Sequence, residues 1–248
     1  MIAIILAAGV GRRLGETDQR PPKSLLRFGG KSLLQRHLED LQRHGIEQIY
    51  ITVGHQAQAI EEEIGSLDLQ SRVTTVYNPH YIKGSVISLW SMRDQLTGGE
   101  DIVLMDADVL YDHRIIEKLT STETPNCFLL DRDFEPGDEP VKLCIRDGIP
   151  IEFRKQISTG LFYDSCGESV GFFRFSSQTA TRLFQSCEHY VSQRLDDTPY
   201  EEAIRDLLLE TPTEFGFLDI TGLPWIEIDF LEDIERAERI ILPQLTTA

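Results

Sequence analysis

Apolar residues run unbroken from Ile2 to Ala8 and stop at Gly9. So short a run, closed by glycine, predicts a parallel strand buried on both faces at the centre of a sheet. The next stretch, "GVGRRLGETDQRPPK", has no apolar period and is dense in glycine, proline and charge. It reads as a loop longer than a scaffold needs, and such loops tend to carry function. The period then becomes helical. "KSLLQRHLEDLQRHG" sets Leu33, Leu34, His37, Leu38 and Leu41 on one face, with Ser32 placed to cap the start and Gly45 to stop the end. "IEQIYITVG" predicts a second strand, "HQAQAIEEEIG" a second helix, "RVTTVYNP" a third strand, "SVISLWSMRDQL" a third helix and "DIVLMDAD" a fourth strand. This alternation over about 110 residues predicts a doubly wound α/β fold of mostly parallel strands.

Beyond residue 110 the pattern shortens. "NCFLLDRD", "VKLCIRDG" and "IPIEFRKQI" predict short strands, with a hairpin turn at Asp147-Gly148. "VGFFRFS" predicts another strand, residues 177–195 a helix, and Pro199 to Glu210 a helix opened by proline. "WIEIDF" predicts a last strand, and "LEDIERAERII" a last helix with Leu231, Ile234, Ala237, Ile240 and Ile241 as its apolar stripe. With no linker or repeat between the halves, residues 1–248 read as one domain. Residues 1–110 form its first half, and 111–248 supply a lid or substrate wall.

A net charge of −17 excludes a sequence-independent grip on nucleic acid and makes any knot of Arg and Lys locally unusual. The four cysteines lack a C-x-x-C pair and the six histidines lack H-E-x-x-H, so neither zinc nor a disulfide framework is expected. The apolar start has no basic flank and is too short to span a bilayer, so a cytoplasmic protein without membrane insertion is expected. A homodimer stays open.

Two familiar glycine motifs fail on the opening loop. A dinucleotide fingerprint needs G-x-G-x-x-G running directly into a helix, but Gly9, Gly11 and Gly15 place the third glycine one residue late, and two prolines follow. A P-loop ending at "GGKS" would need glycine where Leu25 stands. What remains is a glycine loop with Arg12 and Arg13, then Lys23, beyond the carboxyl end of the first strand, where α/β sheets bind ligands. Glycines let backbone N–H groups approach phosphate oxygens, and nearby cations neutralise them. Taken alone, the same residues could equally be solvated loop cations.

"LAAGVGRRLG" ending in "PPKSLL" resembles the sugar-phosphate nucleotidyltransferases, whose opening signature is L-A-A-G-x-G-x-R followed by P-K. The resemblance implies a Rossmann-like, GT-A-like sheet with a small β-rich acceptor-binding lid. It also implies a loop of Leu6, Ala7, Ala8, Gly9 and Gly11 around a nucleoside triphosphate, with Arg13 and Lys23 on its phosphates as the catalytic cations. Arg12 stands where the family often has Thr or Ser. "NPHYIKGSVISLW" is similar to the phosphocholine and related cytidylyltransferases, which makes CTP the favoured nucleotide and Gly84, Ser85 and Ser88 its further contacts.

"LMDADVLYD" puts Asp106 and Asp108 two apart at a strand end, where two like charges side by side call for a cation. Mg²⁺ takes one or two carboxylates plus substrate phosphates. By resemblance Asp108 is the principal ligand, with Asp106 as alternative because Ala107 replaces the usual glycine. Asp229 of "WIEIDFLED" is the second ligand and Glu227 its fallback, while Glu232 and Asp233 cap the last helix. The resemblance further places Lys142 and Lys155 on the phosphate of the acceptor, a small phospho-alcohol of the choline, aminoethyl or inositol kind, and Glu168 is a candidate for the acceptor's hydroxyl or amine, or a surface-turn glutamate. Phe134, Tyr163 and Phe172 are candidates for cation–π contacts, or core. The alternatives are a sugar-1-phosphate nucleotidyltransferase, a molybdopterin guanylyltransferase, a glycosyltransferase using Asp106-Ala107-Asp108 as D-x-D, and a nucleotide sensor without turnover.

Overall fold

Strand β1 (Ile2–Leu6) is buried over nearly its whole length because strands flank it and helices cover both its faces. The computed structural model describes residues 1–14, 20–69 and 71–246, apart from the Arg12 side chain. After β1 come two 3₁₀ turns, Arg12–Leu14 and Lys23–Leu25, and a small hairpin of β2 (Arg27–Phe28) and β3 (Lys31–Ser32). Helix α1 (Leu33–Arg43) begins as expected: the Ser32 hydroxyl accepts from the Gln35 N–H at 3.0 Å, and all five residues of the predicted face are buried. Strand β4 (Gln48–Val53), α2 (Ala57–Ser66) and β5 (Arg72–Tyr77) follow. The predicted third helix is broken into α3 (Ser85–Trp90) and α4 (Arg93–Leu96), ahead of β6 (Ile102–Asp106).

The second half contributes more to the central sheet than a lid would. It runs through β7 (Val109–Tyr111), α5 (Arg114–Ser121), β8 (Cys127–Leu130), β9 (Lys142–Arg146), β10 (Ile149–Arg154), β11 (Ser165–Glu168) and β12 (Phe172–Phe175). Then come α6 (Ser177–Ser192), α7 (Tyr200–Glu210), β13 (Gly216–Asp219), β14 (Trp225–Glu227) and α8 (Leu231–Arg236). The main sheet has seven strands in the order β13-β8-β12-β6-β1-β4-β5. All its pairings are parallel except those of β12, which lies antiparallel between β6 and β8. One apolar layer fills each face, with Phe128, Phe153 and Phe173 on one side and α1, α5 and Phe172 on the other.

Strands β10, β9 and β11 make a separate antiparallel sheet. Its first hairpin turns at Asp147 (φ 52°) and Gly148 (φ 76°), the left-handed pair that a tight D-G turn requires. Phe172 belongs to the core, edge-on to Tyr111 and His37, which settles its alternative roles. The stripe on the last helix is only partly buried. Ala237 packs inward, but Leu231 and Ile240 are 49% and 52% exposed, because α8 is short and gives way to a π turn over Ala237–Ile241. The four cysteines are free thiols.

Candidate active site

A cleft of about 270 Å³ opens beyond the carboxyl ends of β1 and β6. Leu6, Ala7, Ala8, Gly9 and Gly11 line one wall, and Lys23, Asp106, Asp108 and Glu227 lie deeper. Gly11 has φ +66°, a left-handed turn that folds the loop back over the Lys23 side chain. Pro22 precedes the 3₁₀ turn that carries Lys23, and its fixed φ limits how far that turn can swing. The expectations for Gly15 and for the Arg12 side chain lie outside the described residues.

Cations of the loop and carboxylates of distant strands meet at one point. The Lys23 ammonium lies 2.9 Å from Asp108 and 2.6 Å from Asp229, and Arg13 lies 2.8 Å from the other oxygen of Asp229. Residues this far apart in sequence are joined by the backbone: β14 pairs antiparallel with β7, and the Ile228 N–H donates to the Asp108 carbonyl at 2.9 Å. Asp233 caps the start of α8 as expected, accepting from the N–H groups of Asp229 and Phe230, and so holds Asp229 in place. Burial alone would pull the Lys23 ammonium down, but Asp108 and Asp229 outweigh it and its pKa is raised. Burial likewise works against the Asp229 charge, yet Lys23 and Arg13 overcome it and its pKa is lowered.

Three carboxylates, Asp108, Glu227 and Asp229, each offer an oxygen within 4.8 Å of the others. An all-oxygen anionic set of this size suits a hard divalent cation. Glu227 is exposed to solvent at the cleft, with protein groups crowded around its carboxylate. Desolvation by those groups, and then the charges of Asp108 and Asp229, push its carboxyl well above the ordinary range. Asp106 stands apart. The expectation that it points the same way as Asp108 assumes a continuous strand, but β6 ends at Asp106 and the chain turns through Ala107 and Asp108. Asp106 instead accepts from the Tyr200 hydroxyl at 2.8 Å, and burial raises its pKa well above the usual value.

On the far wall, Ser85 and Ser88 line the cleft with their hydroxyls engaged. Ser85 accepts from the Tyr200 N–H at 3.0 Å and Ser88 from the Asn78 amide at 3.1 Å. Gly84 does not line the cleft. It packs against the backbone of Asp197 and Thr198, where a Cβ would collide. Tyr81, Lys83, Tyr200 and Glu201 complete the wall, and periodicity offered no signal for them. Glu201, in the first turn of α7, has a buried Oε2 without a protein partner, and its pKa is raised by burial.

Of the residues expected at the acceptor, Lys142 and Glu168 sit on the small sheet and Lys155 just beyond the end of β10. Lys155 pairs with Glu139 at 3.1 Å, and Glu139 also holds Arg13 at 2.9 Å, so an unbroken alternation of charge runs from Lys155 to Asp108. Lys142 donates to the carbonyls of Gly137, Pro140 and Lys155, tying the 137–140 loop to the end of β10. Glu168, half-buried on β11, is held up at about 7 by burial and by the charge of Asp131. Tyr163 lies at the Asp164–Ile145 end of the β9–β11 ladder, opposite the end that carries Lys142 and Glu168.

Residues 3–149 match the model of the MobA-like NTP transferase domain. Choline-phosphate cytidylyltransferase of Streptococcus pneumoniae is 33% identical over 248 residues, covering 97% of this chain and 98% of that protein. CMP-5'-(3-aminopropyl)phosphonate synthase of Streptomyces rubellomurinus is 25% identical over 95% of this chain, which spans 38% of the Streptomyces protein. Among solved structures, the inositol-1-phosphate CTP transferase from T. maritima superposes with a TM-score of 0.74 at 20% identity, over 93% of this chain and 90% of that one. Among the described residues no helix is long and apolar enough to cross a membrane.

Proposed function

Because the chain belongs to the MobA-like NTP transferase domain family, we propose that it couples CTP to a small phosphorylated alcohol or phosphonate, releasing pyrophosphate. The observation that carries this reading is the meeting of Lys23 and Arg13 with Asp108 and Asp229 beside the glycine loop. Relatives named as a choline-phosphate cytidylyltransferase and as a synthase of a CMP-aminopropylphosphonate support the choice of substrates. A phosphate oxygen of the acceptor attacks the α-phosphorus in line, the bond to the bridging oxygen breaks, and its electron pair leaves with pyrophosphate. The acceptor is already ionised, so no protein nucleophile is needed.

Each residue has an electrostatic or positioning task. Arg13 and Lys23 bind the triphosphate and neutralise the charge that develops on the leaving group. Asp108, Glu227 and Asp229 would hold Mg²⁺, which supplies further charge neutralisation on the phosphates. The Tyr200 hydroxyl engages Asp106, which lies outside that close trio, and this argues against the D-x-D arrangement of a glycosyltransferase. Lys155 receives the acceptor phosphate, and Lys142 keeps the Lys155 backbone in place. Glu168, opposite Lys142 on the small sheet, suits an amine or quaternary ammonium head group.

The test incubates the protein and Mg²⁺ with each of four nucleoside triphosphates against phosphocholine, phosphoethanolamine, aminoethylphosphonate, inositol-1-phosphate and glucose-1-phosphate, reading pyrophosphate. The strongest release is expected from CTP with a phospho-alcohol or phosphonate. Release confined to glucose-1-phosphate, or to GTP, would overturn the proposal.

A further inference from the structure

Cys144 on β9 and Cys166 on β11 stand directly opposite each other, with their sulfurs 3.7 Å apart. The Ser169 N–H donates to the Val141 carbonyl at 2.8 Å, which marks 141 and 169 as a hydrogen-bonded pair of the ladder. Counting along the ladder makes 144 and 166 a non-hydrogen-bonded pair, the kind whose Cα atoms approach to about 4.5 Å and whose side chains lie closest. That spacing falls within the range a disulfide spans, about 4.4–6.8 Å. The two thiols are unequal. Cys166 is partly exposed, and the S–H of buried Cys144 donating to it, together with Lys142, favours a thiolate there. The same contact, and then burial, push the Cys144 thiol up. Cys127 and Cys187 are both fully buried, and burial raises both.

The neighbouring pair on the same face of the ladder is Lys142 opposite Glu168, two residues along each strand. We propose that Cys144 and Cys166 are a reversible oxidation site, whose disulfide fixes the spacing of β9 and β11 beside Lys142 and Glu168. With hydrogen peroxide as oxidant, the Cys166 thiolate attacks a peroxide oxygen, the O–O bond breaks, and protonation of the departing hydroxide gives water and a sulfenic acid. The Cys144 sulfur then attacks the sulfenic sulfur, forming the S–S bond and expelling a second water. Overall two thiols and one peroxide give one disulfide and two waters. The bond stands independently of the assigned activity; its effect on acceptor binding rests on the function proposed above.

The experiment treats reduced full-length protein with hydrogen peroxide, alkylates the remaining thiols, and maps peptides with and without dithiothreitol. A linked peptide joining Cys144 to Cys166 within one chain is expected, while Cys127 and Cys187 stay as thiols. Dithiothreitol should reverse the link. Cys144→Ser should stop at the sulfenic acid of Cys166, and Cys166→Ser should not respond. In the oxidised wild type the KM for the acceptor should rise several-fold with the KM for CTP unmoved. Links between chains, or sulfinic acid at Cys166 with no linked peptide, would overturn the site. A fully linked protein with an unchanged acceptor KM would overturn its coupling to the acceptor strands.

Discussion

Lys23 illustrates how one side chain serves both fold and chemistry. Its ammonium compensates Asp108 and Asp229, and it is also the group placed to meet an incoming triphosphate. Lys23→Ala should lower turnover about 10²- to 10³-fold, and the variant should gain more in Tm from added Mg²⁺ than the wild type, because three crowded carboxylates lose their internal cation. A loss of turnover below tenfold would remove Lys23 from the triphosphate. Glu168 makes a pH prediction. Its carboxyl is held up at about 7, whereas a free glutamate titrates near about 4.3. Between those values the folded protein keeps a proton that the unfolded chain has released, so this residue's contribution to stability falls as pH rises across that window and then levels off. Glu168→Gln should remove that fall in thermal unfolding scans. In wild type, kcat/KM for an amine-bearing acceptor should rise as pH passes about 7 and Glu168 ionises, and this limb should vanish in the variant. At this scale the sequence made Arg13, Lys23, Asp108 and Asp229 legible through their motif. It did not reveal that Asp106 turns to Tyr200, because that depends on where β6 stops.

Among the elements, α1 was readable almost residue by residue because its apolar face, its serine cap and its end are all local signals. Strand β12 was readable as a strand but not by its place, since an aromatic run broken only by Arg174 is compatible with several buried positions and its partners, β6 and β8, are distant in sequence. The β11 strand was missed outright: "SCGE" is neither apolar nor alternating, and pairing with β9 and the bridge to Asp131 hold it in place. Gly84 shows how an element boundary can be misread as a ligand contact. It precedes α3 where the 196–198 segment crosses so closely that no side chain fits. Gly84→Ala should therefore cost about 1–3 kcal/mol in urea unfolding, from displacement of α3 or of that crossing segment. An unchanged midpoint would mean that the crossing yields freely.

For the whole molecule, a net charge of −17 on 248 residues means that like charges repel across most of the surface. Raising the salt from about 0.01 M to 0.15 M shortens the screening length from about 30 Å to 8 Å, so Tm should rise in NaCl even without divalent ions; a fall would mean that screening weakens the ion-pair chain from Lys155 to Asp108 more than it relieves the surface repulsion. The insertion of β12 between β6 and β8 also governs how the molecule can be cut or recombined. Severing the chain near residue 110 parts β6 from β12, leaving β6 with one bare edge and β13, β8 and β12 as a three-stranded piece with another, so neither fragment inherits a finished interior. Chimaeras with altered acceptor choice should instead exchange the 142–168 sheet, whose three strands pair with one another and meet the main scaffold through few backbone bonds.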